Sequence, residues 1–181
     1  RRRDEDLDEG GFGDVDVEVD VEDGPSEHFT WAELQVSAYG DSMGLDNTAG
    51  AAERAKLTRL AVEILEPLRD EYGAITVNSG FRSPEINAGI GGSGTSQHME
   101  GEAADITLST DNDEVVAAIW EEYVRGRFPT LGQAITYEGT SHVHVSIDSD
   151  TIDLSRKRFL KKMNDGAYVA FPSGAEGEVY P

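Results

Sequence analysis

Three of the chain's four histidines fall in two short stretches, GTSQHMEGEAADI (Gly94 to Ile106) and SHVHVSID (Ser141 to Asp148). The first sets His98 and Asp105 seven positions apart, with Gly101 and two alanines between them. Imidazole and carboxylate are ligands of hydrolytic zinc sites, which take three side chains and leave one position for water. The chain has no cysteine, so thiolate ligands and disulfides are excluded, and any zinc must sit on His and carboxylate. His98 and Asp105 can converge if Asp105 opens the strand implied by ADITL, and the third ligand then comes from HVHVS. Residues two apart on a strand share a face, so His142 and His144 point one way and Val143 and Val145 the other. One or both histidines can therefore face the Asp105 strand.

The elements that would hold these side chains follow from periodicity and capping. HFTWAEL offers Thr30 as an N-cap with Glu33 as its capping-box partner, and predicts a short helix to about Tyr39. In AAERAKLTRLAVEILEPLRDEYG, residues Leu57, Leu60, Ala61, Ile64, Leu65 and Leu68 recur at helical spacing and Gly73 closes the run. Pro67 inside it predicts a kink or break near Glu66. AITVNSGF reads as a strand, and SPEINAGIGGSGTSQH as a helical turn running into a Gly/Ser-rich loop. EAADITL is the next strand, and STDNDEVVAAIWEEYVRGRF a helix with Thr110 and Asp113 at capping spacing. GQAITYE and SHVHVSID read as a hairpin turning through Gly139 and Thr140. This order predicts a single α+β domain with a central antiparallel sheet flanked by helices. Trp31, Trp120, Tyr123 and Phe128 are expected in its core.

Composition bounds the partners. The 181 residues carry 36 acidic and 15 basic side chains, net -21, with Lys56, Lys157, Lys161 and Lys162 the only lysines. Residues 1–27 hold 12 acidic and 3 basic residues, and 28–181 hold 24 and 12, so both parts are acidic. Such a balance suits concentrated salt, where self-repulsion is screened, and it excludes nucleic acid as a partner. No apolar run approaches the length of a membrane-spanning helix. No signal peptide is visible, and because the chain opens on RRRDED rather than Met this says nothing of compartment. Residues 1–27 form an acidic flexible tail, 28–172 the domain, and 173–181 a Gly-rich end. Within the tail, Asp or Glu alternates with Val from Asp14 to Glu22, so the tail is expected to dock on a partner by strand addition.

VNSGFRSPEIN, the following IGG, TSQHMEGEAADI and YEGTSHVHVSI together resemble the D-alanyl-D-alanine carboxypeptidase-like zinc peptidases. That group includes cell-wall carboxypeptidases and phage endolysins that cut L-alanyl-D-glutamate bonds. The likeness covers about residues 28–150 and is closest to the phage- and prophage-encoded branch, in which HFTWAEL, LDN, LEPLRDEYG and SGFRSPEIN recur in similar form. Its core is SxHxxGxAxD, here Ser96, His98, Gly101, Ala103 and Asp105. The resemblance implies zinc on His98, Asp105 and His144. It implies Arg82 as the cation that meets a substrate carbonyl or carboxylate, a role that suits a guanidinium because it does not titrate. It makes Ser96 a residue that orients the loop or bonds substrate.

The general base departs from the better-known members, which often place a carboxylate three residues before the last zinc histidine. That position here is Ser141. Two candidates stand in its place: Glu138, in a YE pair that recurs in the phage branch, and then His142, where that branch commonly has Trp. The implied reaction is zinc-dependent hydrolysis of short peptides with D-residues, as in peptidoglycan, by an extracellular or virion-associated protein. A reading from another class stands beside it: a binding or structural module of a virion, tail or cell-surface assembly that keeps the fold and is held by its acidic tail.

Other patterns take plainer readings. Glu102 is expected to face solvent, and DNDE (Asp111 to Glu114) to start a helix rather than bind calcium, since it lacks the Gly and distal Glu. GIGGSG (Gly89 to Gly94) shapes the site loop rather than cradling phosphate, and RKRFLKK (Arg156 to Lys162) neutralises the acidic domain.

Overall fold

The computed structural model describes residues 24–148 and 159–171. The alternating acidic stretch from Asp14 to Glu22, expected to dock as a strand, lies outside the described residues, as does the Gly-rich end. Among the described residues no helix is long and apolar enough to cross a membrane.

The chain opens on α1 (Trp31–Leu34), where the Thr30 and Glu33 capping box forms on both sides. This helix stops short of Tyr39. The Ser37 hydroxyl accepts the Gly40 N–H and starts a second helix, α2 (Ala38–Met43), which ends on Gly44 in the left-handed region. Next come α3 (Ala51–Leu60), a π-helical turn (Ala61–Leu65) and α4 (Glu66–Tyr72) as one run, with Gly73 past its end. Pro67 does not break it. A proline ring clashes with the carbonyl four residues back, and widening the preceding turn, with Glu66 N–H on the Ala61 carbonyl, relieves that conflict without ending the helix.

Then follow β1 (Thr76–Ser79), α5 (Pro84–Gly89), a 3₁₀ turn (Gln97–Glu100), β2 (Ala103–Thr107) and α6 (Asn112–Val124). The cap of α6 is Asp111 rather than Thr110: its carboxylate takes the N–H groups of Asp113 and Glu114 and also suits the positive end of the helix. The predicted hairpin is present as β3 (Leu131–Tyr137) and β4 (Val143–Ile147), and β5 (Phe159–Lys162) and β6 (Tyr168–Ala170) complete the sheet.

The six strands run in the order β1-β2-β4-β3-β5-β6. Every pair is antiparallel except β3 with β5, which is parallel. One face of the sheet, including Ala104, Ile106, Ala134, Val143 and Val145, is buried with the apolar side of α3, the π turn, α4 and α6. Leu57, Leu60, Ala61, Ile64, Leu65 and Leu68 are fully buried there, as their spacing requires. Each such Leu or Ile contributes roughly 1.5–3 kcal/mol relative to exposure. Phe128 is buried, and Trp31, Trp120 and Tyr123 pack against the same cluster. The opposite face carries the histidines.

Glu102 does not face solvent. Its carboxylate is fully buried and lies 2.9 Å from Lys56 Nζ of α3, which also reaches Glu100 at 3.1 Å. Gly101 makes this packing possible: its φ is 72°, and a Cβ there would stand 2.5 Å from the Glu53 carbonyl oxygen. The turn that carries His98 is thereby clamped to α3. Lys56→Met should cost about 3 kcal/mol in urea unfolding, the lower end for stranding a buried charge, because Lys56 is itself about one-third exposed. Adding Glu102→Gln to that variant should recover most of the loss. Equal stability of wild type and Lys56→Met would show that the clamp contributes nothing.

Candidate metal centre

Asp105 of β2 and His144 of β4 are directly paired across the sheet. His98 comes down on them from the 3₁₀ turn. His144 Nδ1 lies 3.0 Å from Asp105 Oδ1, His98 Nε2 lies 3.3 Å from the same oxygen, and the two ring nitrogens are 3.2 Å apart. The outward nitrogens fix the tautomers. His98 Nδ1–H donates to the Gly80 carbonyl at 2.8 Å, and His144 Nε2–H faces Gln97 Oε1 at 3.4 Å. What remains inward is a lone pair on each ring facing a carboxylate oxygen. Three acceptors in mutual contact call for a cation, and their 3.0–3.3 Å separations are close to the edges of a ligand tetrahedron with bonds of about 2.0–2.1 Å, as for zinc. The donor set therefore fits zinc, and Gly80 and Gln97 supply the outer bonds that orient histidine ligands.

The titration directions agree with this assignment. Burial pulls His98 below the ordinary imidazole range despite the opposing influence of Asp105, so it is neutral at neutral pH, the form that binds a metal. Asp105 is held well below the usual carboxylate range although burial alone would raise it, so its carboxylate is ionised.

Arg82 enters the same cleft, with Nη2 3.6 Å from Asp105 Oδ2. Its turn is fixed from both sides by Asn47, which donates to the Phe81 carbonyl at 2.9 Å and accepts the Ser83 N–H at 2.8 Å. The Arg82 N–H itself bonds the His98 carbonyl at 3.0 Å, tying the guanidinium's backbone to the metal turn. The cleft measures about 510 Å³ and is also lined by Gly91, Gly92, Ser96 and Tyr137. GIGGSG is therefore part of the site wall, and the Ser96 hydroxyl is not spent on capping the turn that follows it.

The two candidate bases part company. Glu138, the first choice from sequence, does not line the cleft among the described residues. Its Oε2 accepts the Asn164 N–H at 2.9 Å in the turn between β5 and β6. The reason is strand alternation: Gln133, Ile135 and Tyr137 of β3 face the cleft, and Glu138 falls one residue out of that phase. His142 does not line the cleft either, but it is in strand phase with His144 and packs on Tyr137, which does. It lies opposite Tyr137, one step beyond the Thr136–Val143 pair, with the two rings 4.8 Å apart.

Gln97, Asn47 and Tyr137 went unread in the sequence. Tyr137 had a signal, since a hairpin turning at Gly139 and Thr140 sets it across from His142. Burial, with the nearby charge of Asp105 next, raises the Tyr137 pKa well above that of a free phenol, so it stays protonated.

The open face of the sheet thus carries a His–Asp–His group that could hold one metal ion, beside a fixed guanidinium. The chain belongs to the peptidase M15 family, whose model matches residues 27–146. It is also similar to a zinc D-Ala-D-Ala carboxypeptidase of Streptomyces albus G, at 40% identity over 81 residues. That match covers 44% of this chain and 31% of the relative, so the chain spans about a third of the protein it matches.

Zinc binding is directly measurable. After dialysis the chain should retain one zinc, and zinc at a hundred times its Kd should raise unfolding stability by about 2.7 kcal/mol. Asp105→Asn should lose the retained ion, and Gln97→Ala should weaken binding by roughly 10–100-fold. Wild-type chain that emerges from dialysis without metal, by elemental analysis, would refute the assignment.

Proposed function

We propose that this chain is a zinc peptidase acting on short peptides with D-amino acids, of the kind found in peptidoglycan stems, and that His98, Asp105 and His144 are its metal ligands. The observation that carries the proposal is the contact of three lone-pair donors on the floor of a cleft that Arg82 also enters. The Streptomyces relative, a zinc D-Ala-D-Ala carboxypeptidase by name, supports both the metal and the substrate class. Such peptides are found in cell walls, outside the cytoplasm, and this reading sets the protein there or on a virion that meets the wall.

A zinc ion held by the three donors supplies Lewis acidity toward a carbonyl oxygen and a water acidified to a pKa of about 7. The chain's own residues do the rest. Arg82, fixed at its backbone by Asn47, gives a permanent positive charge to the oxygen that becomes an oxyanion, or to a substrate carboxylate. Tyr137, held protonated, donates a hydrogen bond into the cleft. His142 accepts the proton of the attacking water and returns it to the amine nitrogen as the C–N bond breaks. His142 is favoured over Glu138 because it shares the cleft face with His144, while the Glu138 carboxylate is engaged with Asn164.

Release of D-alanine from a D-alanine-terminated peptide tests both parts. The zinc-loaded chain should release it, and a chelator should stop it. His142→Gln should lower kcat by about 10²–10⁴-fold with zinc retained, and Glu138→Gln should stay within a few-fold of wild type. The opposite ranking would return the base to Glu138, and a zinc-loaded chain that cleaves no such peptide would end the peptidase reading.

A further inference from the structure

The family match ends at residue 146, yet the cleft has a wall beyond it. The β5–β6 hairpin contributes Lys162 and Tyr168 to the lining that holds Arg82, His98, Asp105 and His144. In register, Tyr137 of β3 pairs with Lys162 of β5, and Lys162 with Tyr168 of β6. With His142, the residue before β4, opposite Tyr137, four side chains form one row that continues across β3, β5 and β6. This row lies two residues along from the row that contains Asp105 and His144.

The two lysines of β5 are used differently. Lys161 points to the helix side, where its ammonium pairs with Asp113 of α6, whose other oxygen accepts the Thr136 hydroxyl at 2.8 Å. Lys162 points to the cleft, and among the described residues no carboxylate pairs with it. Its Nζ instead lies 5.4 Å from the Tyr168 ring centre and 5.9 Å from that of Tyr137. Tyr168 is 51% exposed although it flanks the cleft. Among the described residues lining the cleft, the charged ones are Arg82, Lys162 and Asp105, with Asp105 facing the two histidines. A chain of net charge -21 thus keeps a cationic wall in the one place where a peptide would lie.

We propose that Lys162, flanked by Tyr137 and Tyr168, is a subsite for a carboxylate of the bound peptide, distinct from the group that meets Arg82. The proposal rests on the peptidase reading for the identity of its ligand and makes the hairpin a specificity element. The peptide it fits bears a second acidic group, as a glutamate-type residue does, with its apolar stem against the two tyrosine rings. An ammonium between aromatic faces recognises such a group by charge and a short hydrogen bond, and loses both when the carboxylate becomes an amide.

The test uses two tetrapeptides ending in D-alanine that differ only in a D-glutamate or D-glutamine residue, with binding to the zinc-loaded full chain read by calorimetry. Wild type should bind the acidic peptide about tenfold or more tightly than the amide, as expected for a hydrogen bond to a charged group. Lys162→Met should bring that ratio close to one, with zinc content unchanged. Lys162→Arg should keep most of it, and Lys161→Met, on the other side of the sheet, should keep all of it. Equal affinity for the two peptides in wild type, or a ratio that survives in Lys162→Met, overturns the subsite. Hydrolysis is scored separately. A chain that binds through Lys162 but cleaves neither peptide retains the subsite and loses the peptidase reading. One that cleaves both alike, with no difference in affinity, retains the peptidase and loses the subsite.

Discussion

Asp105 and His144 meet because β2 and β4 pair in one register, and the rest of the site hangs on that pairing. Side chains on a strand alternate with a period of two, so a slip of one residue in either strand would turn its ligand toward the helices and bring Ala104 or Val145 to the cleft instead. The helix side forbids the slip. Ala104, Ile106, Val143 and Val145 are fully buried there, and exposing them would cost several kcal/mol in lost burial. At the start of β2 the Glu102 N–H bonds the Gln97 carbonyl, its own carbonyl takes the Ile147 N–H, and its carboxylate meets Lys56. The core therefore decides which side chains reach the cleft.

What was legible in the sequence tracks how local each determinant is. His98, Asp105 and His144 could be read because ligand type and strand alternation act within a few residues, and the structure brings all three together. The α+β class and the β3–β4 hairpin rest on equally local signals. Glu102 was misread because its partner, Lys56, is 46 positions away on a helix whose facing side the strand pattern does not reveal. Glu138 stands one step of alternation past Tyr137, and its bond to Asn164, 26 positions on, leaves no mark in the strand pattern. Thr110 lost the cap of α6 to its neighbour, because either residue can start that helix and only backbone geometry selects Asp111. Lys162 was beyond reach, since a parallel pairing of β5 with β3 leaves no mark on the residues between them.

Electrostatics around the centre are arranged against the grain of the chain. Acidic side chains dominate the composition, yet among the described residues Asp105 is the one carboxylate that lines the cleft, and two imidazoles and a guanidinium surround it. Among the described residues some of the other acidic side chains are matched locally, as Asp113 is by Lys161 and Glu102 by Lys56. A negative exterior with a cationic recess steers an anionic peptide to one place while repelling it elsewhere, and salt weakens both effects together.

The parallel join between β3 and β5 divides the cleft by origin. The side chains of the candidate metal centre come from β2, β4 and the turn before β2, all within the stretch shared with the family. The far wall comes from a hairpin attached to the opposite edge of β3, after that stretch has ended. Changes in the hairpin leave the β2–β4 register untouched. Such an arrangement lets descent rewrite what the cleft accepts while leaving intact the machinery on its floor, so relatives with the same centre are free to diverge in diet.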